Sequence, residues 1–81
     1  MAAETDKVET ILRQHWQIPN DLRPTVLQDL AFRLHVLVGQ KYSHDNLKYQ
    51  LSLMQTKDLR QVYDDPACDK IASELLGTAR S

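Results

Sequence analysis

The sequence contains few of the residues that build tight turns or covalent cross-links. Its 81 residues include one cysteine, two glycines and three prolines. A single cysteine excludes an intramolecular disulfide and a zinc module built on cysteines. So few glycines and prolines argue against a β-sandwich, a β-barrel and a glycine-rich phosphate loop, because those structures depend on turns with special backbone geometry.

An excess of one charge and long apolar runs are also absent. Ten lysines and arginines against eleven aspartates and glutamates leave a formal net charge of −1. This balance argues against a nucleic-acid clamp working through bulk positive charge and against an acidic tail protein. No stretch approaches the roughly 18 apolar residues of a membrane span, and the acidic start lacks an apolar signal segment. We therefore expect a cytoplasmic protein without a membrane partner.

The composition is that of one globular domain. Hydrophobic residues make up 42% of the chain and charged residues 26%, and a chain of this length forms one compact unit. We expect a single helical domain over residues 1–81, with residues 1–5 and 78–81 frayed. So small a chain buries only about 60% of its unfolded surface, so it needs tight helical packing or burial of further surface in an oligomer.

An apolar stripe predicts the first helix. The residues of the stripe recur at the i, i+3, i+4, i+7 and i+8 spacing of one helix face; they are Val8, Ile11, Leu12, His15 and Trp16. Asp6 and Glu9 suit a cap pair at the start of this helix. The run ends at Ile18-Pro19, because proline disfavours helix in the residue that precedes it.

The second helix is predicted from Pro24 to about Val38. Proline suits the first helical position, and Gly39 suits a left-handed terminator. Most apolar residues of this helix fall on one arc about 140° wide. Phe32 and Val36 lie together on the opposite side, so the helix has a core face and a smaller apolar spot behind it.

The third helix is predicted to begin near His44, with Ser43 as its N-cap. Whether it continues past Thr56 is left open by the sequence. Thr56 can instead cap a new short helix, and we favour a bend or break near Gln55-Thr56.

The boundary of the last helix is predicted at Asp65-Pro66, an N-cap acid followed by proline at the first helical position. Gly77 is predicted to close that helix. The whole chain is therefore predicted to be all-α, a compact bundle of four short helices, or five if the third one breaks. Its predicted centre is formed by large aliphatic side chains, namely Leu12, Leu30, Leu34, Leu51 and Leu75.

No set of residues points to catalysis or to a metal. His15, His35 and His44 do not have the spacing of a zinc-binding helix motif and are expected at the edge of the core or on the surface. Cys68 lies on the apolar face of the last helix, where we expect a buried, unreactive thiol. No nucleotide-binding or nucleophile motif is present. We therefore predict a non-enzymatic protein without a cofactor or a metal.

Two apolar pairs remain after the main helix faces are assigned. Phe32 and Val36 lie four residues apart on the second helix, as Tyr49 and Leu53 do on the third. They either complete the core or stay exposed as a binding patch. Trp16 joins them as a candidate partner-binding residue, although covering the core is its commoner role. We predict a small regulatory or adaptor protein that acts by protein–protein contact, with a homodimer as one form of that contact.

The alternative prediction is a DNA-binding transcriptional regulator. Residues 33–60 carry five basic and two acidic side chains, whereas the regions on either side each carry a net charge of −2. The segment 41–49 combines basic and aromatic residues around a predicted helix N-terminus, which offers free N–H groups to a phosphate. The candidate contacts in this segment are Lys41, Tyr42, His44 and Lys48. No helix-turn-helix register fits, because placing Gly39 correctly puts Asp45 at an aliphatic position.

Overall fold

The computed structural model describes residues 3–80 and consists of helices and connecting loops. Four α-helices follow one another along the chain, and a five-residue π-helical turn extends the third. These elements are α1 (Ala3–His15), α2 (Pro24–Gly39), α3 (His44–Leu53), the π turn (Met54–Asp58) and α4 (Asp65–Arg80). No strand occurs between residues 3 and 80, so the predicted all-α bundle is confirmed.

One continuous apolar core holds the helices together. α1 packs along α2, α3 packs along α4, and α1 also contacts α4, whereas α2 and α3 touch much less. The residues predicted at the centre are all buried, with no more than 2% of their surface exposed; they are Leu12, Leu30, Leu34, Leu51 and Leu75. The loose contact between α2 and α3 leaves a groove on the surface.

The first helix begins earlier than predicted. α1 starts at Ala3, so Asp6 and Glu9 lie inside the helix and do not cap it. The Asp6 carbonyl accepts a hydrogen bond from Thr10 Oγ1 at 2.9 Å, as expected one turn into a helix. The helical bonding continues to the Trp16 amide and ends before Pro19. Residues 3–5 are helical, while residues 1 and 2, which were expected to fray, lie outside the described range.

The second helix starts at Pro24, as predicted, and includes Gly39. Gly39 is not left-handed, so its predicted role as terminator is wrong. The left-handed residue is Lys41, with φ of 61°, and the amides of Gln40 and Tyr42 both donate to the Leu37 carbonyl. The helix ends at Gly39 in ordinary helical geometry, and the chain reverses two residues later at Lys41, whose left-handed backbone is uncommon for a residue other than glycine.

The third helix begins at its predicted cap. Ser43 Oγ accepts a hydrogen bond from the Asn46 amide at 3.2 Å. The change predicted near Gln55-Thr56 takes the form of the π turn, in which the Leu59 amide donates to the Met54 carbonyl at 3.1 Å. Thr56 caps no new helix, because its hydroxyl donates to the Ser52 carbonyl behind it.

The fourth helix differs from its prediction at both ends. Asp64 Oδ1 accepts a hydrogen bond from the Ala67 amide at 3.2 Å, so Asp64 is the capping side chain and Asp65 is not. The helix also continues through Gly77 to Arg80, so the predicted stop at Gly77 is wrong. Residues 78–80, expected to fray, belong to this helix, and residue 81 lies outside the described range. Between residues 3 and 80, no helix is both long and apolar enough to cross a lipid bilayer.

Candidate interaction surface

The loose contact between α2 and α3 produces an open groove of about 470 Å³, the α2–α3 groove. Phe32 and Val36 form its α2 wall, and Leu53, Met54 and Lys57 from α3 and the π turn form much of the opposite side. Three of the five predicted partner-binding residues therefore line one surface feature. That feature combines apolar side chains from two consecutive helices.

The exposed apolar side chains on α2 follow from helical geometry. Leu30 and Leu34 point into the core and are fully buried, so Phe32 and Val36 lie on the other side of the helix. Phe32 keeps 57% of its surface exposed and Val36 keeps 37%. The interpretation that both apolar pairs complete the core is therefore wrong for this pair.

The rim of the groove carries charges of both signs. Arg33, on the α2 side, forms an ion pair with Asp29 one turn earlier, with 3.0 Å between Nη2 and Oδ2. Lys57 and Asp58 are neighbours in the π turn on the opposite side. Each of these basic residues therefore has an acidic residue nearby, so the rim of the groove carries little net charge.

Tyr49 is not part of the α2–α3 groove. It is 60% exposed and lines a second, shallower depression of about 430 Å³ together with Lys48, Tyr63 and Asp65. Leu53, four residues later, is half-buried and faces the groove. The predicted pair Tyr49 and Leu53 is thereby divided between two surfaces.

A cluster of polar side chains lies at the edge of that second depression, where α3 meets the start of α4. Asp65 Oδ1 accepts from Lys48 Nζ at 2.7 Å and from the Tyr63 hydroxyl at 2.5 Å. The hydrogen bonds from Lys48 and then Tyr63 lower the pKa of Asp65. The same bonds to Asp65 raise the pKa of Lys48 and the pKa of Tyr63. Asp65 therefore ties α3 to the start of α4, which explains why the neighbouring Asp64 serves as the cap.

Trp16 is not a surface anchor. Only 4% of its surface is exposed, and its indole nitrogen is buried without a hydrogen-bond partner. The prediction that Trp16 binds a partner is therefore wrong, because the end of α1 directs this side chain into the core.

Burial raises the pKa of the Cys68 thiol to about 11, although the neighbouring Trp16 side chain acts in the opposite direction. The thiol is buried and protonated, as predicted.

Gln55 is a buried polar residue that sequence patterns did not single out. Its Oε1 atom accepts from the Asp64 amide at 2.9 Å and from Cys68 Sγ at 3.5 Å, and its Nε2 atom donates to Gln61 Oε1 at 3.4 Å. These bonds attach the π turn to the start of α4. Since Met54 and Lys57 belong to the same turn, Gln55 also positions one wall of the α2–α3 groove.

The four residues of the DNA-binding alternative are largely occupied within the fold. Lys48 is paired with Asp65, and His44 Nε2 lies 3.1 Å from Asp69 Oδ1. Tyr42 is half-buried against the core, and Lys41 is exposed in the turn after α2. A phosphate would therefore compete with α4 carboxylates for two of the four side chains.

Two histidines connect other helices to α4. His15 on α1 contacts Glu74, and His44 on α3 contacts both Asp69 and Ser73, whose hydroxyl lies 3.3 Å from Nε2. A catalytic triad needs a carboxylate hydrogen-bonded to one ring nitrogen and the nucleophile at the other. Asp69 and Ser73 both lie at Nε2 of His44, and Asp45 Oδ1 lies 3.7 Å from Nδ1, beyond hydrogen-bond distance. We interpret both histidines as structural links. Within the described residues, no three His, Cys, Asp or Glu side chains are grouped so as to hold a metal ion.

Comparisons with known proteins show no relative of this chain. No family model matches it, no curated protein matches it, and no solved structure matches it. The function must therefore be inferred from the geometry of the α2–α3 groove and its surroundings.

Proposed function

We propose that this chain is a small, non-enzymatic adaptor or regulatory protein that binds another protein chain in the α2–α3 groove. The supporting observation is an exposed phenylalanine at the edge of an apolar groove. Phe32 keeps 57% of its surface exposed beside a groove of about 470 Å³. Exposed aromatic side chains next to a pocket are the usual anchors of protein interfaces.

The energy available at this site suits a binding hot spot. Removing the exposed part of Phe32 from water stabilises a complex by about 2 kcal/mol. Val36 and Leu53 add smaller amounts, since less of their surface remains to be buried. Because association itself costs several kcal/mol, contacts from the rim must supplement this apolar centre.

The walls of the groove are already ordered before a partner arrives. Leu34 and Leu51, which lie beneath the two walls, are fully buried, and Met54 is 4% exposed. Rigid walls lose little conformational entropy when a partner binds, which favours affinity. The groove is therefore a better candidate than a surface loop of the same composition.

Affinity capture from cell extract with three forms of the tagged chain tests this proposal. The test variant is Phe32→Asp, which places a charge at the anchor, and the matched control is Tyr49→Asp, which alters an exposed aromatic residue outside the groove. We expect wild type and Tyr49→Asp to retain the same bound protein, and Phe32→Asp to lose it. Equal capture by all three forms would contradict the proposal.

The DNA-binding alternative and the cytoplasmic location stay predictions. Binding to DNA through Lys41 and Lys48 requires an affinity that falls steeply as salt concentration rises. Binding in the apolar groove depends far less on salt. A gel-shift series from low to physiological salt separates the two functions, because the absence of any shift at low salt removes the DNA-binding alternative.

A further inference from the structure

We propose that the occupant of the α2–α3 groove is a second copy of this chain, packed with the two α2 helices antiparallel about a two-fold axis. This inference rests on the proposed function and names the partner of the same site. It is carried by the spacing of the apolar residues on α2, the charges of the rim and the area of surface that a dimer requires.

The spacing of the exposed pair on α2 is self-complementary. Phe32 and Val36 lie one turn apart on the same face of the helix. A two-fold axis between them, perpendicular to α2, places Phe32 opposite the partner's Val36 and places Val36 opposite the partner's Phe32. One symmetric arrangement thereby buries both exposed residues of both copies.

The same surface carries a protruding side chain and the hollow that receives it. Phe32 projects from α2, and the groove opens directly beside it towards Leu53 and Met54. In the two-fold arrangement, the partner's Phe32 approaches this groove while Phe32 approaches the partner's groove.

The charges of the rim favour a copy over a strongly charged partner. Arg33 is already paired with Asp29, and Lys57 is followed by Asp58. A rim with both signs attracts an identical rim more readily than it attracts a strongly acidic or a strongly basic peptide. The formal net charge of −1 per copy also leaves little long-range repulsion between two copies.

The available surface is large enough for a dimer. Interfaces of standard size bury about 800 Å² on each partner, which is roughly 15% of the 5391 Å² surface of this chain. The 16 residues of α2 extend over about 24 Å. An interface of that size must therefore extend beyond Phe32 and Val36 to the rest of the exposed face of α2 and to the π turn.

Sedimentation equilibrium from 1 µM to 1 mM tests the dimer directly. We expect wild type and Tyr49→Asp to form a dimer within this range, and Phe32→Asp to raise the dissociation constant at least about 100-fold. Val36→Lys is a second variant at the same contact and should act in the same direction. Circular dichroism shows whether each variant keeps its helices, which is expected because both residues are exposed.

Disulfide cross-linking tests the antiparallel geometry. The proposed axis brings position 29 of one copy close to position 40 of the other, so we use the variants Asp29→Cys and Gln40→Cys. Under mild oxidation, a mixture of the two should cross-link much faster than either variant alone. The native Cys68 does not compete, because it is buried and its pKa is about 11. Faster cross-linking of Asp29→Cys with itself would overturn the antiparallel arrangement.

The results separate this inference from the proposed function. A wild-type chain that stays monomeric at 1 mM overturns the dimer. If the capture experiment still depends on Phe32, the groove then binds a different protein and the proposed function stands. If the chain is monomeric and capture is independent of Phe32, both the dimer and the proposed function fall.

Discussion

Polar side chains bridge α3 and α4, whereas apolar side chains face an open groove between α2 and α3. On the first side, Lys48 and His44 reach Asp65 and Asp69 of α4 at 2.7 and 3.1 Å. On the second side, Phe32 remains 57% exposed. Polar contacts at the surface supplement the buried core between α3 and α4, whereas the apolar surface beside Phe32 has no counterpart within the described residues. Under the proposed function, the first side serves folding and the second serves association.

The largest expected change in stability comes from comparing two leucines on α3, one in the core and one in the groove. Leu51 is fully buried and Leu53 lines the groove. Leu51→Ala should lower the free energy of unfolding by about 3 kcal/mol, because it leaves a cavity in the core. Leu53→Ala should cost about 1 kcal/mol or less but should weaken association. Urea denaturation followed by circular dichroism measures both, and equal losses of stability would contradict the division.

The next largest change in stability at neutral pH is expected at Gln55, which connects the π turn to the start of α4. Gln55→Leu should lower the free energy of unfolding by about 1 kcal/mol, because the part-buried Asp64 amide loses its acceptor. The matched control is Gln14→Leu, an exposed position on α1, where surface substitutions usually change stability by less than about 0.5 kcal/mol. Similar stability of the two variants would show that the Gln55 contacts contribute nothing to the fold.

Alkaline pH should lower the free energy of unfolding through the Cys68 thiol. Its thiol has a pKa of about 11 in the folded chain against 9.0 for an ordinary thiol. Since the unfolded chain releases this proton first, stability should fall as pH rises from about 9 to 11, by at most about 2–3 kcal/mol. Cys68→Ala keeps Lys48 and Tyr63, so the difference in slope between wild type and this variant isolates the thiol. Parallel pH profiles of unfolding would contradict the assignment.

The smallest effect is expected at the exposed Asp65. Its pKa is lowered by Lys48 and Tyr63, so the stability it adds is present near neutral pH and is lost as acid protonates the carboxyl. Asp65→Asn should therefore flatten the acid side of the stability profile while changing the neutral value little. Thermal unfolding from pH 7 to pH 2 measures this. A steeper acid side in the variant would contradict the direction.

Helix positions were predictable from the sequence, but several helix ends were not. The apolar stripes located all four helices, because an apolar period of 3.6 residues is a property of each helix and does not depend on how the helices pack together. At the end of α2, the left-handed residue is Lys41 although glycine is available at position 39. At the start of α4, Asp64 and Asp65 are chemically equivalent as caps in the sequence. In the structure Asp64 is the cap, while Asp65 contacts Lys48 and Tyr63, and these long-range contacts are not visible in the local pattern.

The candidate surface was predictable in part. Phe32 and Val36 were identified because they lie opposite the core face of α2, which is a local property. The burial of Trp16 and the separation of Tyr49 from Leu53 depend on how helices pack against one another, and single-helix periodicity does not contain that information. The spacing of Val62 suits the apolar face of the third helix or a short helix after Thr56, but Val62 lies in the loop before α4 and is 90% exposed.

The π turn is the wide last turn of the third helix, and the chain leaves the helix at Leu59. Each residue removed from an α-helix rotates all later side chains by about 100°. Deleting Thr56 would convert the turn to ordinary helix, swing Lys57 and Asp58 away from the groove and pull Leu59, now 6% exposed, out of the core. The extra residue of the π turn thus sets the angular relation between the buried Leu59 and the side chains that line the α2–α3 groove.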